Sequence, residues 1–221
     1  MTMTATIAEA RAAAERGDFE LAIALLRPLA DAGDSEAQYQ LGALAMTECD
    51  LVSGEEAFAV FRAAADQGHA EAMHELATFP EFLSEPFKSP LSEEEAWSWL
   101  MRAAEGGSLG AQYNVAACLA TGDWGDGDVG SQDLEAAVAW YRRAAEAGHA
   151  EAQFNLASMF LHGEGCEPDV AAAREWLTRS LAGGYVYAAE LLAILDESPD
   201  DHAWPRPQTE RRRRRGRAEP D

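Results

Sequence analysis

The apolar positions of this chain fall into two alternating phrases. One opens at a glycine and continues as a small-and-apolar stretch: GDSEAQYQLGALA from Gly33, GHAEAMHELATF from Gly68, GSLGAQYNVAACLA from Gly107, GHAEAQFNLASMF from Gly148 and GYVYAAELLAIL from Gly184. The glycines stand 35, 39, 41 and 36 residues apart, which is the length of one helix-turn-helix unit. The other phrase precedes each glycine. Aligned backward from it, bulky residues fill one column (Leu25, Val60, Trp99, Trp140, Trp176), and five positions later comes a mostly small one (Ala30, Ala65, Ala104, Ala145, Leu181). Charged residues lie between the two columns, so the pattern predicts an amphipathic helix that packs bulk beside a close helix crossing. The phrase after the glycine is termed helix A, and the phrase before the next glycine helix B.

Local signals agree with that division. Ser53 before Glu55-Glu56 and Ser92 before Glu93-Glu94-Glu95 can cap two B helices, where carboxylates also favour the positive helix end. Each junction glycine supplies the left-handed residue that ends helix B. In the copy from Gly148, Leu156 and Phe160 lie four apart and face helix B, while Ala152 and Ala157 permit close packing. Two A-to-B turns depart from the pattern. Phe79 to Ser92 holds three prolines and ends helix A early at Phe79. Thr121 to Asp133 is an expanded turn rich in glycine and aspartate. Both read as tolerated loop growth or as an edge that a partner touches.

Through these columns, AQFNLASMFLHGEGCEPDVAAAREWLTRSLAGG from Ala152 resembles a Sel1-like repeat. Ala152, Leu156, Phe160, Gly163, Gly165, Asp169 and Trp176 hold the matching positions, whereas Cys166 and Leu181 depart from them. Ala111 to Gly148 matches at Ala111, Val115, Trp140, Ala144, Ala145 and Gly148, and the likeness is weaker from Gly33 to Gly107. Thr4 to Gly33 resembles the related tetratricopeptide repeat. The expected fold is therefore all-α, a right-handed α-solenoid of about five helix-turn-helix repeats and a final helix near Tyr185 to Asp196. Residues 1–32 would be an N-terminal tetratricopeptide-like pair, 33–196 the Sel1-like repeats and final helix, and 197–221 a disordered arginine-rich tail.

Composition narrows the function. The 221 residues carry 39 acidic and 17 basic side chains, a formal charge of −22. Seven of the arginines lie beyond Asp196, among them Arg211 to Arg215 and Arg217, which leaves ten basic against 33 acidic residues in the body. Such a body repels phosphate backbones, so nucleic acid is expected to meet the tail alone. The tail could instead bind an anionic membrane or sit against the acidic body. Three cysteines, Cys49, Cys118 and Cys166, with no CxxC pair suit a reducing compartment. The N-terminus lacks the basic start and apolar stretch of a signal peptide, and no apolar run reaches the roughly 20 residues that span a bilayer. The expected compartment is the cytoplasm.

The sequence offers little for catalysis. His69 and His149 share a column at the start of helix A, His74 and His162 lie on A helices, and His202 is in the tail. No spacing sets two of them on one helix face, and His162 with Cys166 is a single candidate metal pair. Asp123, Asp126 and Asp128 invite a calcium reading, but the glycine and the closing glutamate are not where an EF-hand loop needs them. No G-x-S-x-G, Walker or G-x-G-x-x-G motif occurs. Cys118 in the middle of helix A reads as a small core residue. No cofactor, metal or small-molecule substrate is expected.

The tetratricopeptide likeness implies that A helices line a concave face, with ligand contacts at their second and fifth positions. Counting Ala37, Ala72, Ala111 and Ala152 as third, the second column is Glu36, Glu71, Gly110 and Glu151, and the fifth is Tyr39, His74, Tyr113 and Phe154. Carboxylates beside a ladder of rings suit a peptide with basic and apolar anchors. The alternative is that the rings pack between adjacent A helices. The function expected from this reading is a non-enzymatic adaptor or scaffold binding a peptide segment of another protein. The alternatives are a hydrolase built on the repeat scaffold, or RNA or membrane association through the tail.

Overall fold

The computed structural model describes residues 6–46, 51–79, 90–123 and 132–197. Among them are eleven helices and no β-strand. Ten form successive pairs: α1 (Ile7–Glu15) with α2 (Phe19–Asp31), α3 (Ser35–Ala45) with α4 (Gly54–Asp66), and α5 (Ala70–Ala77) with α6 (Glu93–Glu105). Next come α7 (Leu109–Thr121) with α8 (Leu134–Glu146), and α9 (Ala150–His162) with α10 (Val170–Ala182). A final helix, α11 (Ala188–Glu197), stands where the sequence predicts one. The chain forms two compact units, the first ending at Ala111 and the second beginning at Gln112.

The junction from helix B to helix A repeats in atomic detail. Gly33, Gly68, Gly107, Gly148 and Gly184 take φ of 92, 94, 98, 100 and 94°, a region that a side chain would make costly. The following residue then donates its N–H to a carbonyl five residues back, as in Asp34 to Leu29 (3.1 Å), His69 to Ala64 (3.1 Å) and His149 to Ala144 (3.0 Å). This is the Schellman closure of helix B. The same residue opens the next helix: the side chains of Asp34, His69 and His149 accept the N–H of Ala37, Ala72 and Ala152. Ser53 and Ser92 cap α4 and α6 as their sequence predicts, Ser92 in a reciprocal capping box with Glu95.

The core lies between the two helices of each pair, but one column away from the bulky side chains singled out above. In helix B the buried column is Leu26, Phe61 and Leu100 in the first unit and Tyr141 and Leu177 in the second. Leu25, Val60, Trp140 and Trp176, one residue earlier, are half-buried, and Trp99 is buried. A one-residue step turns the helix by about 100°, so the half-buried members of this column flank the core, and Trp140 and Trp176 pack against its edge. Each tryptophan leaves a ring face for an arginine three residues on: Arg102 over Trp99 at 4.0 Å, Arg143 over Trp140 at 4.5 Å and Arg179 over Trp176 at 4.7 Å. The small column holds as read, with Ala30, Ala65, Ala104 and Ala145 buried; Leu181 at its end is 39% exposed.

Of the two irregular turns, α5 does end early, at Ala77, and Phe79 is buried with its ring edge-on to Phe58 at 5.4 Å. Residues 80–89 and 124–131 lie outside the described residues, as do Cys49 and residues 198–221 with the arginine run. No helix among the described residues is long and apolar enough to cross a membrane.

Candidate functional site

Each ring of the fifth column packs on the opening of the next A helix. In the first unit, Tyr39 stacks on His69 with centroids 4.7 Å apart and planes at 24°. His74 lies against the first turn of α7, where a Cβ on Gly110 would stand 2.8 Å from its Cε1. In the second unit, Tyr113 stacks on His149 at 4.8 Å and 13°, and Phe154 meets Tyr185 at 5.2 Å. All four are half-buried. The column thus packs between successive A helices and still presents part of each ring to solvent.

The second column differs from copy to copy. Glu36 accepts hydrogen bonds from the Arg11 guanidinium (3.2 Å) and from Gln40 (2.8 Å), and its other oxygen lies 3.0 Å from Nε2 of His69. Because Nδ1 of His69 accepts the N–H of Ala72, the ring proton sits on Nε2 and is donated to Glu36. Burial is the largest influence on the Glu36 carboxyl and works to raise its pKa. The hydrogen bonds from His69 and Gln40, with the attraction of His69 and the charge of Arg11, outweigh it, so the group titrates below the ordinary carboxylate range. Glu71 is exposed, its carboxylate 3.9 Å from Nδ1 of His69. Burial raises Tyr39 and Glu75 and lowers His74. In this unit a guanidinium already fills the space beside the carboxylate and the ring pair.

The second unit keeps the rings without that closure. Glu151 is exposed and has no ion-pair partner among the described residues. With His149, Ala150, Gly183, Gly184 and Tyr185 it borders an open cavity of about 420 Å³. Burial lowers the pKa of His149, with Glu151 working weakly the other way. Tyr141, edge-on to Tyr113 at 5.9 Å and accepting from Asn155, is pushed up to about 12, chiefly by burial. A second cavity of about 390 Å³ is lined by Phe154, Tyr185, Tyr187, Glu190, Leu191 and Ile194. The structure therefore brings Glu36 and Tyr39 together around His69, sets His74 on Gly110, and places Glu151 and Phe154 at the rims of cavities.

Several neighbours escaped the sequence reading. Tyr185 and Tyr187 border the cavities, and their signal was two rings directly after the last junction glycine. His69 and His149 were seen as a repeat column but not as helix caps and stacking partners. Gln38 and Gln153, both buried, donate to the terminal B-helix carbonyls of Ala30 (3.1 Å) and Ala145 (2.9 Å); their regular recurrence one residue after the core alanine was the available clue. The other candidates have structural surroundings. His162 Nδ1 donates to the Ser158 carbonyl at 2.8 Å, and the Cys166 thiol points to the Met159 carbonyl at 3.7 Å. Burial raises the Cys118 and Cys166 thiols, which disfavours a reactive thiolate in either. Asp126, Asp128 and His202 lie outside the described residues. Among the described residues no group of three or more His, Cys, Asp or Glu side chains is placed to hold a metal.

Comparison with known proteins gives a consistent family. Sel1 repeats match at residues 11–34, 35–69, 70–108, 110–149 and 150–185. The chain is similar in structure to c5321, a protective antigen of uropathogenic Escherichia coli strains with an SLR fold, at 28% identity and a TM-score of 0.68, over 81% of this chain and 37% of that one. It is likewise similar to a Sel1 repeat protein from Oxalobacter formigenes, at 28% identity and a TM-score of 0.68, over 79% of this chain and 48% of that one. The chain thus spans less than half the length of either. No curated protein matches it.

Proposed function

The chain belongs to the Sel1 repeat family, whose members typically serve as protein–protein interaction scaffolds, and on that premise we propose that it is a non-enzymatic cytoplasmic adaptor. Its ligand is a peptide segment of another protein with basic side chains beside apolar anchors. The observation that carries this is the equivalence of Glu36 and Glu151. At Glu36 the chain's own Arg11 occupies the carboxylate next to a stacked ring pair. At Glu151 the same column is exposed, and its cavity is lined by His149 and Tyr185. What the fold already accepts at one copy, a guanidinium or ammonium from a partner can supply at the other. The half-buried rings add apolar contact at low conformational cost.

The test is a fluorescence-anisotropy titration with two labelled peptides of equal length, one alternating Arg and Leu, the other Glu and Leu. The basic peptide binds more tightly, and Glu151→Lys weakens it roughly tenfold at low salt, the effect of losing about 1.4 kcal/mol. Glu36→Lys has a smaller effect on this binding, since Arg11 already holds that carboxylate. Equal affinity for both peptides, or indifference to Glu151→Lys, would remove the reading.

A further inference from the structure

Among the described residues no helix B follows α11, whereas α3, α5, α7 and α9 each have one. Eight residues after the junction glycine stand Leu41, Leu76, Val115 and Leu156, all buried, whereas the equivalent Leu192 of α11 is only half-buried. Nine residues after it, Gly42, Ala116 and Ala157 are buried, whereas Ala193 is exposed. The three most exposed large hydrophobic side chains among the described residues are Val186 (67%), Tyr187 (61%) and Ile194 (49%). Three tyrosine and phenylalanine rings from α9 and the lead into α11, with Leu191 and Ile194, form the cavity of about 390 Å³, and Glu190 stands at its rim. An outer face with nothing packed on it among the described residues is ordinarily polar, and this one presents rings.

We propose that this groove is the seat of the chain's own segment Trp204-Pro205-Arg206-Pro207, with the Trp204 ring over Leu191 and Ile194 and Arg206 facing Glu190. The sequence beyond α11 leads directly to it. The chain leaves that helix at Glu197, one turn past Ile194, and Trp204 follows seven residues later. Seven residues span at most about 25 Å, against about 15 Å for the ten-residue helix, so Trp204 reaches any point along it. Residues 198–221 contain no Leu, Ile, Val, Met, Phe or Tyr, and Trp204 is their one large apolar side chain. Pro205 and Pro207 fix their own backbone and turn Trp204 and Arg206 away from the α region. The segment therefore enters as an extended polyproline-type strand and not as a missing helix B. Extended Pro-containing segments dock into aromatic-lined grooves, and a carboxylate at the rim suits the arginine between the two prolines. The seat shares Phe154 and Tyr185 with the adaptor reading, but it uses none of Glu36, Glu71 or Glu151, and its test reads Trp204 and not the binding of a peptide.

The experiment labels the full chain with 5-fluorotryptophan and assigns the Trp204 fluorine resonance by its loss in Trp204→Phe. The resonance is expected away from its position in a free peptide of residues 198–210, and it returns to that position in Tyr187→Ala and in Ile194→Ser. Hydrogen exchange of the α11 amides is expected to speed up roughly tenfold in Trp204→Ala, independently of protein concentration, with helical circular dichroism unchanged. A Trp204 resonance already at the free-peptide position overturns the proposal. So does α11 protection that ignores Trp204→Ala, and protection that instead rises with protein concentration assigns the groove to a second copy.

Discussion

Tyr39 on His69 in the first unit and Tyr113 on His149 in the second form nearly the same ring pair, at 4.7 and 4.8 Å, with each imidazole capping its helix through Nδ1. The surroundings differ by one side chain. Three residues before Tyr39, Glu36 places a carboxylate 3.0 Å from Nε2 of His69. Three residues before Tyr113 stands Gly110, where even a Cβ would press on His74 at 2.8 Å. A packing demand on α7 therefore removes from the column the group that braces the imidazole in the first unit. His149 is left to burial and stacking, and burial lowers its pKa. The repeat keeps the mechanical contact and varies its electrostatics.

The comparison assumes that the second unit's rings stand on a core like the first unit's, and the largest expected effect tests that assumption. Leu177 is fully buried, in the column of Phe61 and Tyr141. Leu177→Ala should cost about 2–5 kcal/mol in a reversible urea titration. Trp176→Ala, which removes a half-buried ring under Arg179, should cost less, roughly 1–2 kcal/mol. The reverse order would return the tryptophans to the centre of the core and undo the assignment of columns.

That order bears on how much was legible in the sequence. Repeat length, helix pairing, junction glycines and serine caps were readable because each depends on local chemistry that recurs at fixed spacing. The bulky column stands one residue from the most buried one, with Trp99 buried and Trp140 and Trp176 only half-buried, because size does not say which side of a seam a ring takes. Leu26, Phe61 and Tyr141 look unremarkable in sequence and carry the burial. The fifth column was readable as a ladder of rings. Its contact with the next helix opening was not, because His69, His149 and Tyr185 lie about 30 residues from the rings they touch. Gly110 read as a gap in an acidic column, and only the position of His74 explains it.

A smaller effect tests the electrostatic half of the comparison. In the folded chain His149 stays neutral while it accepts the Ala152 N–H and is partly buried. The unfolded chain protonates it near about 6.5. Its contribution is therefore complete above that value and declines as pH falls toward the lowered folded value, because the unfolded state then binds the extra proton. Between pH 7.5 and 5, His149→Asn, which keeps a capping side chain, should reduce the loss of stability by about 1 kcal/mol. His74, lowered by burial in the same direction, keeps the remainder, while Glu75, raised by burial, acts in the opposite sense. Urea midpoints at the two pH values measure the difference, and an unchanged slope in the variant would mean that His149 does not titrate in this window.

The smallest effect separates the two carboxylates. Glu36 is about four-tenths exposed and Arg11 more than half, so solvent screens their attraction and Glu36→Gln should cost under about 1 kcal/mol at neutral pH and low salt. Because the folded pKa of Glu36 is lowered, that contribution is present above the ordinary carboxylate range and disappears as pH falls through the lowered value. It should also shrink near 1 M salt, where the screening length is about 3 Å. Glu151→Gln should leave stability unchanged under the same conditions, since Glu151 makes no ion pair among the described residues. Denaturant titrations of both variants at low and high salt decide the point. A loss at Glu151 equal to that at Glu36 would show that the second unit is closed by a charge of its own, and the open copy would then have no vacancy for a basic peptide.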